Sequence, residues 1–494
     1  MSLFKKLERS IVELRTQVNR RGYVALLAIL IVLHLLKVAA FAAAGQGPLR
    51  FDALVYWSLG HRILAGDWLL VRDPAEVTRT PGYLLFVAFF QATCGVRALA
   101  AAIVAQHLLL LASAVLACWA CWQLTKAKSA VLLCLALSLA CISAHGVAVN
   151  LLSDTLLSFL LTLCVACMIA WLKSPSVIRA AAIGVALGAA IMVKPIAQLA
   201  WVPIVATILF TIGQGLSLRR RLGHSACVLI AAGLVVGPWL IRNQAYFGSP
   251  FLTKFTGRSL WVSCFQGNTA DRINPPIPFA GGPATQEILR TVPDVDPHNT
   301  FGVYKSLVRN GYSQIAADEL MLAVAKEGIA EHPGKYAANF CVRAAWFWIT
   351  PNGTFRPLAC DYSPGHESYD ARTLPGRLPR DEAPDQVQWR SAWYFQKGWL
   401  NCIWFPQPLL YAIAAGVTLA AIILLCRVPE RRPLAILLGG WFGYFTVICV
   451  LGARPEYRYR MILEPSMIIV VVTAAEFVFA RLHGKRLIDR KGPG

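Results

Sequence analysis

Charged residues are scarce in this sequence, and acidic residues are the scarcest of them. Only 15% of the 494 residues are charged, and 26 are Asp or Glu. A soluble domain needs roughly 25% charged residues to cover its surface. Hydrophobic residues make up 57% of the chain, and the mean hydropathy is +0.55. This composition excludes an ordinary soluble fold, because something other than water must contact much of the surface.

Three familiar sequence features are also missing. No small-residue cleavage site follows the first apolar run, so we expect that run to be retained and not removed as a signal peptide. No internal repeat is evident, which disfavours an inverted-repeat transporter. The C-x-x-C pairs Cys118/Cys121 and Cys164/Cys167 have no accompanying ligand cluster, so neither predicts a zinc site.

Long apolar runs are what the sequence has in abundance. A span needs about 20 mostly apolar residues to cross about 30 Å of hydrocarbon. Such runs lie near residues 22–44, 98–123, 129–149, 151–172, 177–196, 197–214, 225–243, 405–426, 433–452 and 463–481. The apolar segment 82–94 is shorter, and we expect a juxtamembrane or re-entrant helix there, packed against protein. The predicted fold class is an all-α polytopic membrane bundle of about ten spans.

The net charge of +21 is concentrated at the termini and in short connections. Lys126 with Lys128, and Arg219 to Arg221, are examples of basic residues that separate two apolar runs. Short basic loops stay in the cytoplasm, so both termini are predicted to lie inside. Because this distribution accounts for the positive charge, nucleic acid is not expected as a partner.

This topology places two hydrophilic stretches outside and divides the chain into three parts. They are an N-terminal transmembrane module at 1–243 with a first outer loop at 45–97, a large outer loop domain at 244–404, and C-terminal helices with a basic tail at 405–494. Helices are predicted at 52–65, 313–330 and 336–349, whereas Pro- and Gly-rich 268–300 is predicted to be irregular. Cys264, Cys341, Cys360 and Cys402 fall in the large loop, where their spacing assigns no disulfide.

Ionisable residues at the membrane edge are costly, so each is a functional candidate. The candidates are Asp52, Arg79, Asn150 with Asp154, Lys194, and the segment 454–460. Each also has a structural interpretation: helix capping for the acidic residues, snorkelling for Arg79 and Lys194, and an ion-pair network around Glu456. Asp67, Asp73 and Glu76 lie in polar chain and are predicted to be less anchored than Asp52. Carboxylates and several cations at one membrane level suit a lipid-linked phosphate with acid–base chemistry beside it.

Several short stretches, taken in order, resemble one known family. They are Asp52 with Tyr56, Arg79-Thr80-Pro81-Gly82-Tyr83, Asn150 to Asp154, Pro238 to Asn243 followed by Tyr246-Phe247-Gly248, Gly267-Asn268, Ile329 to Tyr336, and Arg458-Tyr459-Arg460 with Pro465. The chain resembles the GT-C membrane glycosyltransferases, in particular bacterial relatives of protein O-mannosyltransferases and of the aminoarabinose transferase that modifies lipid A. It departs from many relatives at Thr80, where they have a second Pro, and at Lys194, where they often have Arg.

The resemblance implies a GT-C-type fold in the bacterial cytoplasmic membrane, with the active site facing the periplasm. It implies a polyprenyl-phosphate-linked sugar donor among the membrane lipids, and a periplasmic glycan, lipid or protein as acceptor. It makes Asp52 the general base, with Asp154 as a second catalytic candidate. The substrate-binding residues that it implies are Tyr56, Arg79, Tyr83, Lys194, Arg242, Arg458 and Arg460. Arg79 and at least one of Arg458 and Arg460 are expected to contact the donor phosphate.

A divalent cation and two rival functions stay open at this point. Some relatives of the family hold a metal between phosphate and carboxylate, and Asp52 with Asp154 could support one, although two carboxylates alone are weak evidence. A transporter or flippase would need polar residues scattered through several spans, whereas these spans are mostly bland. A glycan polymerase or ligase with a pyrophosphate-linked donor is the other rival.

Overall fold

The computed structural model describes residues 20–43, 52–72, 75–141, 143–211, 216–266, 276–349, 407–452 and 457–490. All regular structure in these ranges is helical, which confirms the predicted all-α class. The bundle helices before the large loop are α1 (Arg20–Ala43), α2 (Asp52–Leu64), α3 (Pro81–Cys94), α4 (Ala98–Thr125), α5 (Lys128–Ala140), α6 (Ser143–Ala148), α7 (Asp154–Lys173), α8 (Val177–Val193), α9 (Trp201–Phe210) and α10 (Leu218–Phe247).

The remaining helices form the large loop between α10 and α16, which we call the outer region after its predicted side of the membrane, and the end of the chain. They are α11 (Thr256–Cys264), α12 (Pro283–Thr291), α13 (Thr300–Arg309), α14 (Gln314–Glu331), α15 (Pro333–Ile349), α16 (Gln407–Cys426), α17 (Arg432–Gly452), α18 (Tyr457–Met461) and α19 (Glu464–Arg490). The short helix α12 corrects the expectation of irregular chain across 268–300. Pro283 begins it, because a proline at the first helical position loses no hydrogen bond.

Six helical segments of the described ranges are long and apolar enough to cross a membrane. They are Arg21–Ala40, Pro81–Thr125, Asp154–Lys173, Leu218–Phe247, Leu409–Cys426 and Pro429–Gly452. Three shorter apolar helical segments accompany them, at Lys128–Ala140, Val177–Val193 and Pro195–Phe210. The chain is therefore a polytopic membrane protein. A helix lies in each of the ten predicted runs, but a crossing number of ten and the orientation stay predictions.

The short apolar segment 82–94, at the end of the first outer loop, forms its own helix, α3, as predicted. Pro81 begins it, and a 3₁₀ turn at Gly95–Arg97 leads into α4. Gly82 packs directly on the C-terminal end of α8. A Cβ at Gly82 would lie 2.5 Å from the carbonyl oxygen of Met192 and 2.8 Å from the backbone nitrogen of Val193. Only a residue without a side chain fits this close approach.

The predicted span 129–149 is broken, since α5 ends at Ala140 and α6 begins at Ser143. Lys37 of α1 reaches the break and donates from Nζ to the carbonyl oxygens of Ser138 (2.9 Å), Leu139 (3.1 Å) and Cys141 (3.4 Å). A basic side chain commonly satisfies the last carbonyl groups of a helix in this way. A cavity of about 40 Å³ lies beside the break, and its lining includes His34, Lys37, His145 and Glu464. Ionisable side chains therefore lie together inside the bundle here, although the sequence indicated mostly apolar spans.

The outer region has a small hydrophobic core of its own. It is built around Trp261 of α11, Phe265 directly after that helix, and Met321 and Val324 of α14. Ser313 accepts a hydrogen bond from the backbone nitrogen of Ala316 at 3.1 Å and so caps α14, the helix that was predicted at 313–330. This core lies inside the predicted outer domain, whose boundaries 244–404 stay a prediction.

The cysteines of the large loop fall into two groups. Cys264 is buried and Cys341 is exposed, and both are free thiols in the structure. Cys360 and Cys402 lie outside the described residues. The described part of the loop therefore assigns no disulfide.

Candidate active site

Several helix ends meet at one end of the bundle and bring the predicted charged residues together. Asp52 begins α2, Asp154 begins α7, Lys194 directly follows α8, and Arg458 lies in α18. A helix N-terminus favours a carboxylate in its first turn, because the helix dipole is positive there. The two acidic residues therefore have a local reason for their places, and the cations come from other segments.

Asp52 is the centre of the first charge group. Its Oδ1 accepts a hydrogen bond from Arg79 Nη2 at 2.6 Å, and its Oδ2 accepts one from Arg458 Nη1 at 3.4 Å. The Asp52 side chain is 34% exposed, whereas those of Arg79 and Arg458 are 19% and 22% exposed. Burial raises the pKa of Asp52, but Arg79, Arg458 and Lys194 outweigh it and hold that pKa at about 2. Asp52 is therefore ionised at any physiological pH.

Arg79 is held by both its backbone and its side chain. Its backbone nitrogen donates to Glu76 Oε1 at 2.8 Å, and the backbone nitrogen of Thr78 donates to the same oxygen at 2.5 Å. The guanidinium carbon lies 5.7 Å from the ring centre of Tyr56 and 5.5 Å from that of Phe255. Arg79 Nε is buried without a hydrogen-bond partner. Burial lowers the pKa of Arg79, but the neighbouring Asp52 carboxylate outweighs burial and raises that pKa above its ordinary value. The side chain therefore stays charged.

Asp154 and Lys194 form the second charge group. Lys194 Nζ donates to Asp154 Oδ1 at 2.6 Å, and the Asp154 side chain is only 1% exposed. Ser153, and not Asp154, occupies the N-cap position of α7. The ring of Tyr459 joins the two groups, since Lys194 Nζ lies 4.5 Å from its centre and the Arg458 guanidinium lies 5.0 Å from it.

The two predicted substrate-binding tyrosines lie under the charge groups. Tyr56 and Ser153 share a hydrogen bond of 3.1 Å, and the rings of Tyr56 and Tyr83 meet edge to face at 4.7 Å. The Tyr83 hydroxyl donates to Gln106 Oε1 at 2.7 Å. Gln106 in turn donates to the carbonyl oxygen of Asn150 at 2.8 Å. Tyr83 is fully buried, so it contributes to the packing beneath the charge groups. Its contact with substrate stays a prediction.

Arg242 of α10 lies away from the charge groups and binds a neighbouring part of the first outer loop. Its Nε donates to the carbonyl oxygen of Leu69 at 2.9 Å, its Nη2 to that of Leu70 at 2.7 Å, and its Nη1 to that of Glu76 at 3.0 Å. The guanidinium nitrogens that were expected to donate to a phosphate therefore donate to backbone carbonyl oxygens of the protein. A direct contact with the donor is a prediction that this geometry does not support.

Arg460 faces the opposite side of α18 from Arg458. Its Nη1 donates to the carbonyl oxygens of Phe347 at 3.3 Å and Trp348 at 3.0 Å, near the end of α15. The guanidinium lies 3.6 Å from the ring centre of Tyr411, and Arg460 is 1% exposed. Of the two arginines, Arg458 is therefore the one placed to contact a phosphate beside Asp52.

The donor set at this site does not favour a metal. Each carboxylate is paired with a cation, Asp52 with Arg79 and Arg458, and Asp154 with Lys194. Within the described residues no group of three or more His, Cys, Asp or Glu side chains could hold a metal ion. Because Asp52 and Asp154 already have cationic partners, the cluster offers a divalent cation little uncompensated negative charge.

Sequence reasoning missed how strongly the first outer loop is anchored. Glu76 binds the backbone of Arg79, and Asp67 accepts hydrogen bonds from Arg62 Nε at 3.0 Å and from the backbone nitrogen of Val71 at 2.9 Å. The expectation that Glu76 and Asp67 are less anchored is therefore wrong, and Asp73 lies outside the described residues. The spacing of Glu76 three residues before Arg79 is typical of a side chain that binds following backbone amides, and it could have indicated the contact.

Solved structures of two proteins are similar to this chain. No protein-family model matches the chain, and no curated protein matches it. The crystal structure of ArnT from Cupriavidus metallidurans bound to undecaprenyl phosphate is similar, with a TM-score of 0.40, 16% identity, and coverage of 94% of this chain and 79% of that chain. The same protein in the apo state gives 0.39, 15%, 92% and 78%.

The second similar structure is the archaeal oligosaccharyltransferase AglB from Archaeoglobus fulgidus, in complex with an inhibitory peptide and a dolichol-phosphate. Its TM-score is 0.49 and its identity 11%, and the match covers 96% of this chain but 53% of AglB. This chain thus spans about half the length of AglB. At low identity and modest TM-scores, the protein is similar over most of its length to two GT-C glycosyltransferases.

Proposed function

We propose that this protein is a membrane glycosyltransferase that transfers a sugar from a polyprenyl-phosphate donor to an acceptor at the outer face of the membrane. The observation that carries the proposal is the Asp52 carboxylate, one-third exposed and bound by two arginines, Arg79 and Arg458. The donor is of the same class as the lipid phosphates in the ArnT and AglB structures.

The grouping of cations at the site supports a phosphate as the bound group. Asp52 and Asp154 hold Arg79, Arg458 and Lys194 within one cluster. A planar guanidinium can bind two phosphate oxygens at once, and Arg79 Nε is a buried donor without a protein partner. A phosphate could therefore gain hydrogen bonds that the protein alone does not provide.

The proposed reaction is a displacement at the anomeric carbon of the donor sugar. The acceptor oxygen or nitrogen attacks that carbon, its proton passes to Asp52, and the bond from the anomeric carbon to the phosphate oxygen breaks. Polyprenyl phosphate leaves with the bonding electron pair, and Arg79, Arg458 and Lys194 stabilise the charge that develops on it. Asp154 holds Lys194 in place through the 2.6 Å ion pair.

The low pKa of Asp52 makes donor binding a requirement for catalysis. A carboxylate with a pKa of about 2 is a weak base, because a base works best when its pKa lies near the operating pH. A donor phosphate bound to Arg79 and Arg458 would compensate their charge and raise the pKa of Asp52. The order of events would then be donor first, acceptor deprotonation second.

We place the site on the periplasmic side of a bacterial cytoplasmic membrane, with both termini inside. The support is the basic composition of the connection at Lys126 and Lys128, at the opposite end of α4 from the first outer loop. Single cysteines in a cysteine-free variant, at Lys126 and at Lys305 of α13, test this orientation. An impermeant maleimide should label position 305 and not 126 in intact cells. Labelling of 126 from outside would overturn the topology.

The transfer activity itself is tested with purified protein and defined polyprenyl-phosphate sugars. We expect release of polyprenyl phosphate that depends on the sugar and rises with the correct acceptor, while Asp52→Asn releases about 10² to 10⁴ times less. A panel of pyrophosphate-linked donors run in parallel tests the polymerase or ligase alternative. Release from the pyrophosphate panel alone would overturn the proposed donor class.

One observation favours a transporter or flippase as a second candidate. Lys37, His34, His145 and Glu464 line a cavity within the bundle, and ionisable groups inside a membrane often mark a substrate path. Because Lys37 Nζ already donates to three carbonyl oxygens, we favour a structural role. Reconstituted vesicles decide between them: flipping of a labelled lipid-linked sugar by parent protein but not by Lys37→Ala would support transport.

A further inference from the structure

Arg242 attaches the first outer loop to α10. Each nitrogen of its guanidinium donates to a loop carbonyl oxygen: Nε to Leu69, Nη2 to Leu70 and Nη1 to Glu76. These carbonyl groups lie up to seven positions apart along the loop, so one side chain fixes both ends of this stretch. A lysine could not reproduce this arrangement, because its compact ammonium group lacks the planar set of donors.

Arg242 itself has little freedom to move. It is 4% exposed, and its guanidinium carbon lies 4.4 Å from the ring centre of Trp239 and 5.0 Å from that of Phe247. Nη1 also donates to Asn243 Oδ1. The side chain is therefore stacked against two rings of its own helix, with all its nitrogens hydrogen-bonded, and it can act as a rigid support.

The support continues from Arg242 to the proposed active site through Glu76. The carbonyl oxygen of Glu76 binds Arg242, and its carboxylate accepts hydrogen bonds from the backbone nitrogens of Thr78 and Arg79. The side chain of Arg79 then meets Asp52 Oδ1 at 2.6 Å. On the other side of the loop, the backbone nitrogen of Lys254 donates to the carbonyl oxygen of Val77 at 2.7 Å. The loop between these contacts therefore positions Arg79 beside Asp52.

We propose that Arg242 is a positioning residue for Arg79, and that it binds the loop backbone instead of the substrate. This inference deepens the proposed function, because its effect on transfer rests on Arg79 as a phosphate-binding residue. Its effect on the loop does not rest on that function. The two can therefore be measured separately.

Hydrogen exchange of the backbone amides in residues 67–80 measures the positioning directly. In Arg242→Gln we expect exchange in this stretch to become about tenfold faster or more, because hydrogen bonds to a charged donor are lost. Arg242→Lys keeps the charge but cannot span the carbonyl groups, so it should fall between parent and Arg242→Gln. The matched control is Arg221→Gln, at the other end of the same helix, where Arg221 Nη1 donates to the carbonyl oxygen of Leu209 at 2.6 Å.

Donor affinity, measured with the polyprenyl-phosphate sugar, tests how Arg242 acts. If it acts only through Arg79, the Arg79→Gln/Arg242→Gln variant should bind the donor within about twofold of Arg79→Gln alone. Multiplicative losses in the double variant would mean that Arg242 contacts the donor itself, which would overturn the inference. Unchanged exchange in Arg242→Gln would overturn it as well. Faster exchange with unchanged donor affinity would support the positioning role and contradict the proposed role of Arg79.

Discussion

Two Arg–Asp pairs in this protein have similar chemistry and opposite surroundings. In the outer region, Asp318 Oδ1 accepts hydrogen bonds from Arg258 Nε at 3.2 Å and from the Arg258 backbone nitrogen at 3.0 Å, and its Oδ2 accepts one from the Gly257 nitrogen at 3.0 Å. Both side chains of this pair are at most 5% exposed. In the bundle, Asp52 accepts hydrogen bonds from the guanidinium nitrogens of Arg79 and Arg458, and its side chain is 34% exposed.

The arginines differ in the same way. Arg258 donates from Nη2 to the carbonyl oxygen of Lys254 at 2.6 Å and lies between the rings of Phe255 and Tyr304. Arg79 Nη1 donates to the carbonyl oxygen of Thr78 at 3.3 Å, but Arg79 Nε is buried without a partner. A pair whose hydrogen-bonding capacity is satisfied by the backbone contributes to the fold. A pair that has a hydrogen-bond donor without a partner and a partly exposed carboxylate can bind a further group. The following experiments test this difference between the two pairs.

The largest expected effect is on the open pair. Asp52→Asn should lower the transfer rate by about 10² to 10⁴, because the proposed general base is lost. Its melting temperature should fall by less than that of Asp318→Asn, because Asp52 is more exposed than Asp318, and donor binding should be nearly intact. Turnover and thermal melting of the purified variant measure both. A folded Asp52→Asn protein with parental turnover would exclude Asp52 as the base, and loss on Asp154→Asn alone would move that role to Asp154.

The satisfied pair should respond in the opposite sense. Asp318→Asn leaves Arg258 buried without its counter-charge, which typically costs about 3–5 kcal/mol of stability. We expect a clear fall in melting temperature, while the protein that stays folded transfers sugar at a rate close to the parent. Lys254→Gln, which removes a more exposed ion pair with Glu319, is the control and should melt like the parent. A parental melting curve for Asp318→Asn would remove the contrast between the two pairs.

Arginine geometry gives a smaller effect. Arg79→Ala should weaken donor binding by at least about tenfold, since charge-assisted hydrogen bonds to the phosphate are lost. Arg79→Lys should lose less, unless the contact uses two nitrogens of the guanidinium. Titration of the donor against each variant measures the affinities, with Arg460→Lys as a control at an arginine that faces away. Parental affinity of both Arg79 variants would make Arg79 a structural residue.

The smallest effect concerns pH. The pKa of Asp52 lies at about 2, below its ordinary value of 3.8, so its contribution to stability is present above 3.8 and is lost as the pH falls toward 2. The acid limb of kcat/KM that belongs to Asp52 should therefore lie below about pH 4 in the free enzyme. Arg458→Gln should shift this limb to higher pH, because burial raises the pKa of Asp52 and one fewer cation then opposes that effect. An unshifted limb would mean that Arg458 does not set the charge state of Asp52.

The sequence predicted those parts of the molecule that depend on local pattern and membrane depth. Asp52, Arg79 and Arg458 are far apart along the chain, yet all flank apolar runs at the side predicted to be outer, so their proximity could be expected. The structure brings them together, and the same holds for Asp154 and Lys194. Their roles in catalysis stay predictions.

The sequence could not predict which way a given arginine points. Arg458 and Arg460 lie in one helix, α18, and residues two positions apart face different sides of a helix. Only the packing of α15 and α16 decides that Arg460 meets the Phe347 carbonyl and the Tyr411 ring. Arg242 was equally ambiguous, because carbonyl groups of a folded loop and oxygens of a phosphate attract the same donors.

The close approach at Gly82 has a consequence for how such a site could change over time. Because α3 rests on the backbone of α8 at Gly82, beside Lys194, a single methyl group there would separate the Arg79 side of the cluster from the Lys194 side without altering any charge. Selection for a larger or smaller headgroup could therefore act on the spacing between cations independently of their identity. Gly82 therefore sets the distance between the two charge groups, and substitutions at neighbouring positions of α8 could change that distance.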